Sequence, residues 1–425
     1  MSYANGLIDF IKNSPTAYHT VKTVKYALVS AGFTEVFENK SSAFSDGGKH
    51  FVIRGGSSII AFKGCGDGFM ITASHSDSPC FKVKDELSSA SYTRLATEKY
   101  GGMIYYTWLD RPLSVAGRVV VKTEEGINVK LVNIAKPSFV IPSVAIHLNR
   151  GVNDGYKFNP ATDLLPLVGC ADAKGAFMNA VAANAGVSVE DIISHDLYLY
   201  NADGGVQLGL NGELILCPRL DDLGCVYASM EAFLNAPDAA DSVSVLAIFD
   251  NEEVGSETKQ GAASTFLEMT LKAIAGNTEK YSAMLYHSFM VSADNAHAIH
   301  PNHPELSDGT HSPVLGKGVV VKYNANQRYT TDAISDGIFT TLAHRAGVQL
   351  QRYSNRADML GGSTLGSIAN TGVALSTIDI GLPQLAMHSA NETAAASDLE
   401  DMIKLLCELY SSDIEKCGDE VKINK

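Results

Sequence analysis

The stretch SVSVLAIFDNEEVGS, residues 242–256, decides how this chain is read. Its first part, Val243 to Phe249, is an unbroken apolar run rich in β-branched residues, the composition of a strand buried on both faces in the middle of a sheet. Asp250, Glu252 and Glu253 follow immediately. Carboxylates crowded against low-dielectric protein resist ionising unless a cation or hydrogen bonds compensate. As a bare cluster such acids read as solvated surface. Their position argues otherwise, because ligands of open α/β sheets collect at the carboxyl ends of strands.

Working outward, the same event recurs. His75 and Asp77 stand where the apolar run MITAS ends, Asp221 and Asp222 lie between ELILC and the helical stretch after it, Asp294 closes SFMVSAD, and His388 follows VALSTIDIGLPQLAMHS. Singly, each reads as a cap or turn residue. Together they mark one end of one sheet. Imidazole and carboxylate donors with few thiolates suit a catalytic zinc, manganese or cobalt ion. Five ligands exceed the protein share of a single catalytic zinc, so the set points to two ions about 3.5–4 Å apart with a bridging carboxylate and a water between them. One of the adjacent glutamates then ligates while its neighbour acts as general base.

The rest of the chain fits an enzyme of this kind. With 425 residues and 45% hydrophobic content it can bury a large core, and its length favours more than one domain. A net charge of −14 excludes the broad basic field that nucleic acid or an anionic membrane requires. The amino-terminal segment lacks the basic start and apolar core of a signal peptide, and no apolar run approaches membrane-spanning length. The seven cysteines form no CxxC pair and read as reduced thiols of a cytoplasmic protein. Ala17 to Ala31 reads as a helix between Pro15 and Gly32, with short strands after it from Phe51 and Ser57. From about Lys82 to Asn211 the texture changes to short alternating segments such as GRVVVKT and INVKLVN, which read as an inserted β-rich domain, 83–211, within a discontinuous catalytic domain formed by 1–82 and 212–425. Past Asn211 strands and helices alternate again, as in a sheet covered by helices. The Gly-rich segments at Gly64 and Gly361 match neither a dinucleotide nor a P-loop pattern, and H-E-x-x-H is absent.

Six motifs in order, ASHSDSPC, CPRLDDLG, FDNEEVGS, SADNAHAIHPNH, KYNANQRYTT and PQLAMHSANE, together with TWLDRPLSVAGRV in the insert, resemble the M18 metallopeptidases, the aspartyl aminopeptidases. The resemblance implies a mixed-sheet, three-layer α/β catalytic domain of the two-zinc aminopeptidase type carrying an inserted dimerisation domain. It makes His75, Asp221, Glu253, Asp294 and His388 the metal ligands, with Asp221 bridging, Glu252 the general base and Asp77 the group that orients His75. Asp221 is taken over Asp222 because the family's ligand directly follows the Leu of the motif.

The implied reaction is hydrolysis of the first peptide bond of substrates beginning with Asp or Glu. Lys322 and His297 are the candidate cations for the acidic side chain, whereas Arg328 reads as structural, bridging nearby acids, and Asp358 as a loop or capping residue. His147 in the insert, alone an ordinary surface histidine, is implied to reach a neighbouring subunit's site, since M18 enzymes assemble as dimers within a tetrahedral dodecamer. Two readings compete: a two-metal aminopeptidase or amidohydrolase of broader specificity, and a noncatalytic oligomeric scaffold, against which an intact Glu252 argues.

Overall fold

The computed structural model describes residues 2–40, 44 and 47–425. The chain divides into two compact units, one formed by 1–77, 206–387 and 392–425, the other by 78–205 and 388–391. The passage into the second unit thus falls at Asp77–Ser78 and the return at Gly205–Val206, against the Lys82 and Asn211 of the sequence pattern. No helix among the described residues is long and apolar enough to cross a membrane.

The first unit is built on a nine-stranded mixed sheet, in the order Thr34–Glu35, His50–Arg54, Ser58–Lys63, Ser242–Phe249, Gly68–His75, Phe289–Ala293, Ser376–Gly381, Val319–Tyr323, Leu350–Ser354. Its middle is parallel: Gly68–His75 runs between Ser242–Phe249 and Phe289–Ala293, and the latter pairs in parallel with Ser376–Gly381. Every residue of the first three of these strands is buried, because helices cover both faces. Leu246 and Ile248 pack with Leu220–Asn235 and Ala396–Tyr410, while Val243, Val245, Ala247 and Phe249 pack with Phe266–Ala275 on the other side. That alternation makes three layers of the single apolar run. Register does the rest. Phe249 lies opposite His75 and Ser292 opposite Ala73, so the chain leaves all three central strands at one level.

A smaller five-stranded sheet, Val206–Leu208, Leu214–Cys217, Glu392–Ala395, Pro383–Leu385 and Ala296–His297, completes this unit with a carboxyl-terminal hairpin, Asp413–Cys417 and Glu420–Asn424. The second unit is a six-stranded antiparallel sheet, Gly126–Asn133, Leu113–Thr123, Ile192–Asn201, Cys80–Ser88, Tyr92–Tyr100 and Leu167–Cys170. It also carries the helix Ala176–Ala185.

Several helices stand outside the sequence reading, and two of them show why. Tyr3–Asn13 is capped by the Ser2 side chain and buries Leu7, Phe10 and Ile11. Its interior Gly6 masks the pattern yet is required, since a Cβ there would strike the Tyr227 hydroxyl. Ala176–Ala185 is alanine-rich, a helical signal in itself, within a segment whose texture is otherwise that of strands. The early helix ends at Ser30, with Ala31 as its cap.

Candidate metal centre

His75 is the last residue of the Gly68–His75 strand and is 1% exposed. Its Nδ1 lies 3.1 Å from the main-chain oxygen of Asp77. A carbonyl can only accept, so Nδ1 carries a proton and Nε2 is the nitrogen that presents a lone pair once the ring is neutral. That Nε2 faces Asp221 Oδ1 at 3.4 Å, Asp294 Oδ1 at 3.9 Å and Glu252 Oε2 at 4.0 Å. One ligand atom each from His75, Asp221, Asp222 and Asp294 falls within 4.8 Å of the others, and the same holds for His75, Glu252 and Glu253. The elements explain the convergence. Asp294 directly follows the Phe289–Ala293 strand, level with His75, and Asp221 and Asp222 open the Leu220–Asn235 helix.

Asp77 does more than orient the imidazole. Its carboxylate lies 3.4 Å from His75 Nδ1, farther than its own carbonyl, and its two oxygens accept the N–H groups of Glu252 and Glu253, each at 3.2 Å. It therefore fixes the turn that carries both glutamates. Asn251 enters that turn in the left-handed region, φ 64°, and its Oδ1 accepts hydrogen bonds from Thr258 at 2.8 Å and Gln260 at 3.1 Å. Asp222, absent from the expected ligand set, is fully buried; its Oδ2 accepts the His75 N–H at 3.1 Å while its Oδ1 has no hydrogen-bond partner among the described residues. The Asp221 N–H donates to Glu392 Oε2 at 3.0 Å, a buried contact that no spacing in the sequence announces.

So many carboxylates in one place distort their own titration. Burial, then the charges of Asp294, Asp77 and Asp221, push Glu252 up to about 8 against an opposing pull from His75. Burial likewise lifts Asp222 well above the usual carboxylate range, and burial with the charge of Asp77 carries Asp250 to about 7. For His75 burial alone would lower the value, but the charge of Asp222 and bonds to Asp221, Asp294 and Asp77 raise it well above that of a free imidazole. An available imidazole nitrogen, an excess of converging carboxylates and a buried carboxylate oxygen without a donor fit a divalent cation of the zinc, manganese or cobalt type.

Beside this cluster stands a buried cation. Lys322, 2% exposed, places Nζ 3.1 Å from the Asn295 carbonyl oxygen and 3.6 Å from Asp294 Oδ2, with the Tyr329 ring centroid at 5.3 Å. Burial, the largest single influence, would lower its pKa; the charges of Asp294, Tyr329, Asp379 and Cys225 together outweigh it and raise the value, so the group is an ammonium. His297 is exposed, its ring 6.0 Å from that of Tyr353. Arg328 is exposed and makes no ion pair among the described residues, so the bridging role expected of it is not seen. Asp358 is exposed and pairs with Arg356 at 2.6 Å. His388, φ 66°, begins the 388–391 segment of the second unit, where its carbonyl accepts the Ile104 N–H at 3.0 Å. His147 lies in the second unit and is exposed, among exposed Val144, Ile146 and Leu148.

A family model described as Aminopeptidase I zinc metalloprotease (M18) matches residues 10–410. A probable M18 family aminopeptidase 2 of Clostridium acetobutylicum is 42% identical, over 97% of this chain and 99% of its own. The protein described in the same words from Pseudomonas savastanoi pv. phaseolicola is 37% identical, over 96% and 98%. Among solved structures, the chain is similar to one from the complex of Ape4 and Nbr1, with a TM-score of 0.93, 34% identity and coverage of 96% of this chain and 85% of that one. It is also similar to the S. cerevisiae mApe1 dodecamer, at 0.84, 28% and 96% of each chain.

Proposed function

The chain belongs to the M18 family of zinc metallo-aminopeptidases, and on that premise we propose that it removes an amino-terminal Asp or Glu from peptides. The observation that carries the acidic preference is the buried ammonium of Lys322 beside the metal-type carboxylates. A cluster of acids repels an acidic side chain, so a substrate of that kind needs a fixed cation at its edge, and a desolvated one discriminates strongly. His297 is a second, exposed donor on the neighbouring Ala296–His297 strand.

In this reading His75, Asp221, Glu253, Asp294 and His388 would hold two divalent ions, most naturally zinc, and Asp221 would be the carboxylate that serves both. Ions bound there polarise a carbonyl and acidify water. Glu252 is the base: its carboxylate takes the proton from the attacking water and delivers it to the leaving amine. Asp77 holds the main chain of Glu252 and Glu253 so that one side chain serves the ion and the other the proton. The surplus of negative charge also suits the free α-ammonium of a peptide. The second unit is proposed to mediate dimerisation and to lend His147 to a neighbouring copy's site, within an assembly of the dodecameric kind that the mApe1 relative forms. The seven free thiols agree with action in the cytoplasm.

One observation favours a broader specificity. The Lys322 ammonium already has Asp294 and the Asn295 carbonyl as partners, so it could serve to neutralise Asp294 alone. Rates of the zinc-loaded protein on peptides beginning with Asp, Glu, Leu and Ala separate the two. The acidic reading expects Asp and Glu to lead by orders of magnitude; equal rates across the panel leave the broader aminopeptidase.

A further inference from the structure

We infer that Asp379 is the positioning residue of the Lys322 site, fixing the cation and its aromatic neighbour Tyr329 from beneath; the inference rests on the reading of Lys322 as the group that selects acidic side chains. Asp379 lies in the Ser376–Gly381 strand and is 0% exposed. A carboxylate taken wholly out of water costs several kcal/mol unless donors replace the solvent. Here they are supplied by two loops. Thr330 gives its N–H and its hydroxyl to Asp379 Oδ2, both at 2.6 Å, and Thr364 gives its hydroxyl to Oδ1 at 2.5 Å. The main chain joins in, the Asp379 N–H donating to Thr331 Oγ1 at 3.0 Å. The carboxylate accepts all of these bonds and keeps its negative charge; an amide would have to reverse the Thr364 hydroxyl and would lose the charge.

Placement gives this clamp its target. Val320 pairs with Gly381 and Val321 with Ile380 on adjacent antiparallel strands. One further step in that register sets Lys322 across from Asp379, and cross-strand neighbours share a face. Thr330 is the next residue after Tyr329, whose buried ring stands by the ammonium, so pinning Thr330 and Thr331 pins the ring. On the opposite side the Leu365–Gly372 helix begins against the carboxylate: a Cβ on Gly366 would come within 2.8 Å of Asp379 Oδ1 and 2.6 Å of Ser292 Oγ. Ser292 is two residues before Asp294 on its strand, so the clamp lies one layer under the candidate metal ligand that Lys322 pairs with.

The test compares Asp379→Asn, Thr330→Val and Thr330→Ser with the zinc-loaded wild type on the Asp, Glu, Leu and Ala panel, with metal content and amide exchange of residues 324–331 measured alongside. Asp379→Asn and Thr330→Val are expected to lower the ratio of acidic to neutral kcat/KM by about 10-fold or more, through KM for the acidic substrates, as small misplacements of binding groups do. Metal content is expected to hold, and Thr330→Ser, which keeps the hydroxyl, to recover the ratio. A uniform loss on all four substrates, or a ratio that does not move, overturns the inference. A wild type without acidic preference sinks the reading of Lys322 instead, and exchange then decides: faster exchange of 324–331 in both variants upholds the clamp, and unchanged exchange removes it.

Discussion

Two regions of the first unit bury charge at neighbouring strand ends, and they do it in opposite ways. Around Asp379 the books balance: each carboxylate oxygen has a donor, and an ammonium lies across the register. Around His75 they do not. Asp221, Asp222, Asp294, Glu252 and Glu253 converge on one imidazole, Asp222 keeps an oxygen without a donor among the described residues, and Glu252 is pushed up to about 8. A folded chain tolerates the first arrangement by itself. The second calls for an added cation, and under the proposed function that contrast separates a region that selects a substrate from one that is loaded for chemistry.

The sharpest way to break the comparison is at the adjacent glutamates. Glu253→Gln removes a proposed ligand and is expected to lose metal and with it all activity. Glu252→Gln is expected to keep its metal and lower kcat by about 10²–10⁴, the scale of general acid–base groups. Metal analysis beside single-turnover rates checks both, and equal metal loss in the two variants reverses or erases the division of labour. His147→Ala comes next, with an expected loss of about 10²–10³ in rate if the imidazole steadies an oxyanion. Mixed with Glu252→Gln under conditions of proven subunit exchange, it should regain activity, because a mixed pair joins an intact base to an intact donor; a dead mixture places His147 outside any shared site.

On the balanced side, Lys322→Met is expected to weaken acidic substrates by ~2–5 kcal/mol in kcat/KM and neutral ones little, the penalty of leaving a desolvated partner charge unpaired. Full retention of activity on Asp peptides would move the selecting cation elsewhere. The smallest effect is structural. Gly366→Ala forces a methyl against Asp379 and Ser292 and is expected to cost about 1–3 kcal/mol in denaturant unfolding. No change in midpoint would mean that the helix start at Thr364 yields without disturbing the clamp.

Much of this contrast is legible in the sequence, and the reasons differ by residue. The three central strands announce themselves as apolar runs, and the acids stand out because they end such runs; parallel register then puts His75, Asp294 and the glutamate turn at one level. Asp77 is visible as part of an H-x-D, but its hold on the Glu252 and Glu253 N–H groups is a contact across 175 and 176 residues, which spacing cannot express. Asp222 sits beside Asp221 in the sequence, and only the fold separates a side chain tied to the His75 N–H from one that faces Nε2. Glu392 and Asp379 were silent for a related reason: a lone acid in or beside a strand carries no mark until its partners arrive from other loops. Gly6 hid the first helix because the close approach that demands it is to Tyr227, far along the chain.

Zinc titration of the metal-free protein at pH about 6 and about 8, with proton release measured, tests the central claim most directly. At pH about 6 the metal-free protein holds protons on Glu252, raised to about 8 by burial and then by the surrounding acids, and on His75, raised by those acids against burial; a bound cation must displace the one on His75 and favours loss of the one on Glu252. The account therefore predicts two zinc ions per chain, tighter binding at the higher pH, and protons released on uptake at the lower. Binding of fewer than two ions, or uptake with neither proton release nor pH dependence, would contradict it.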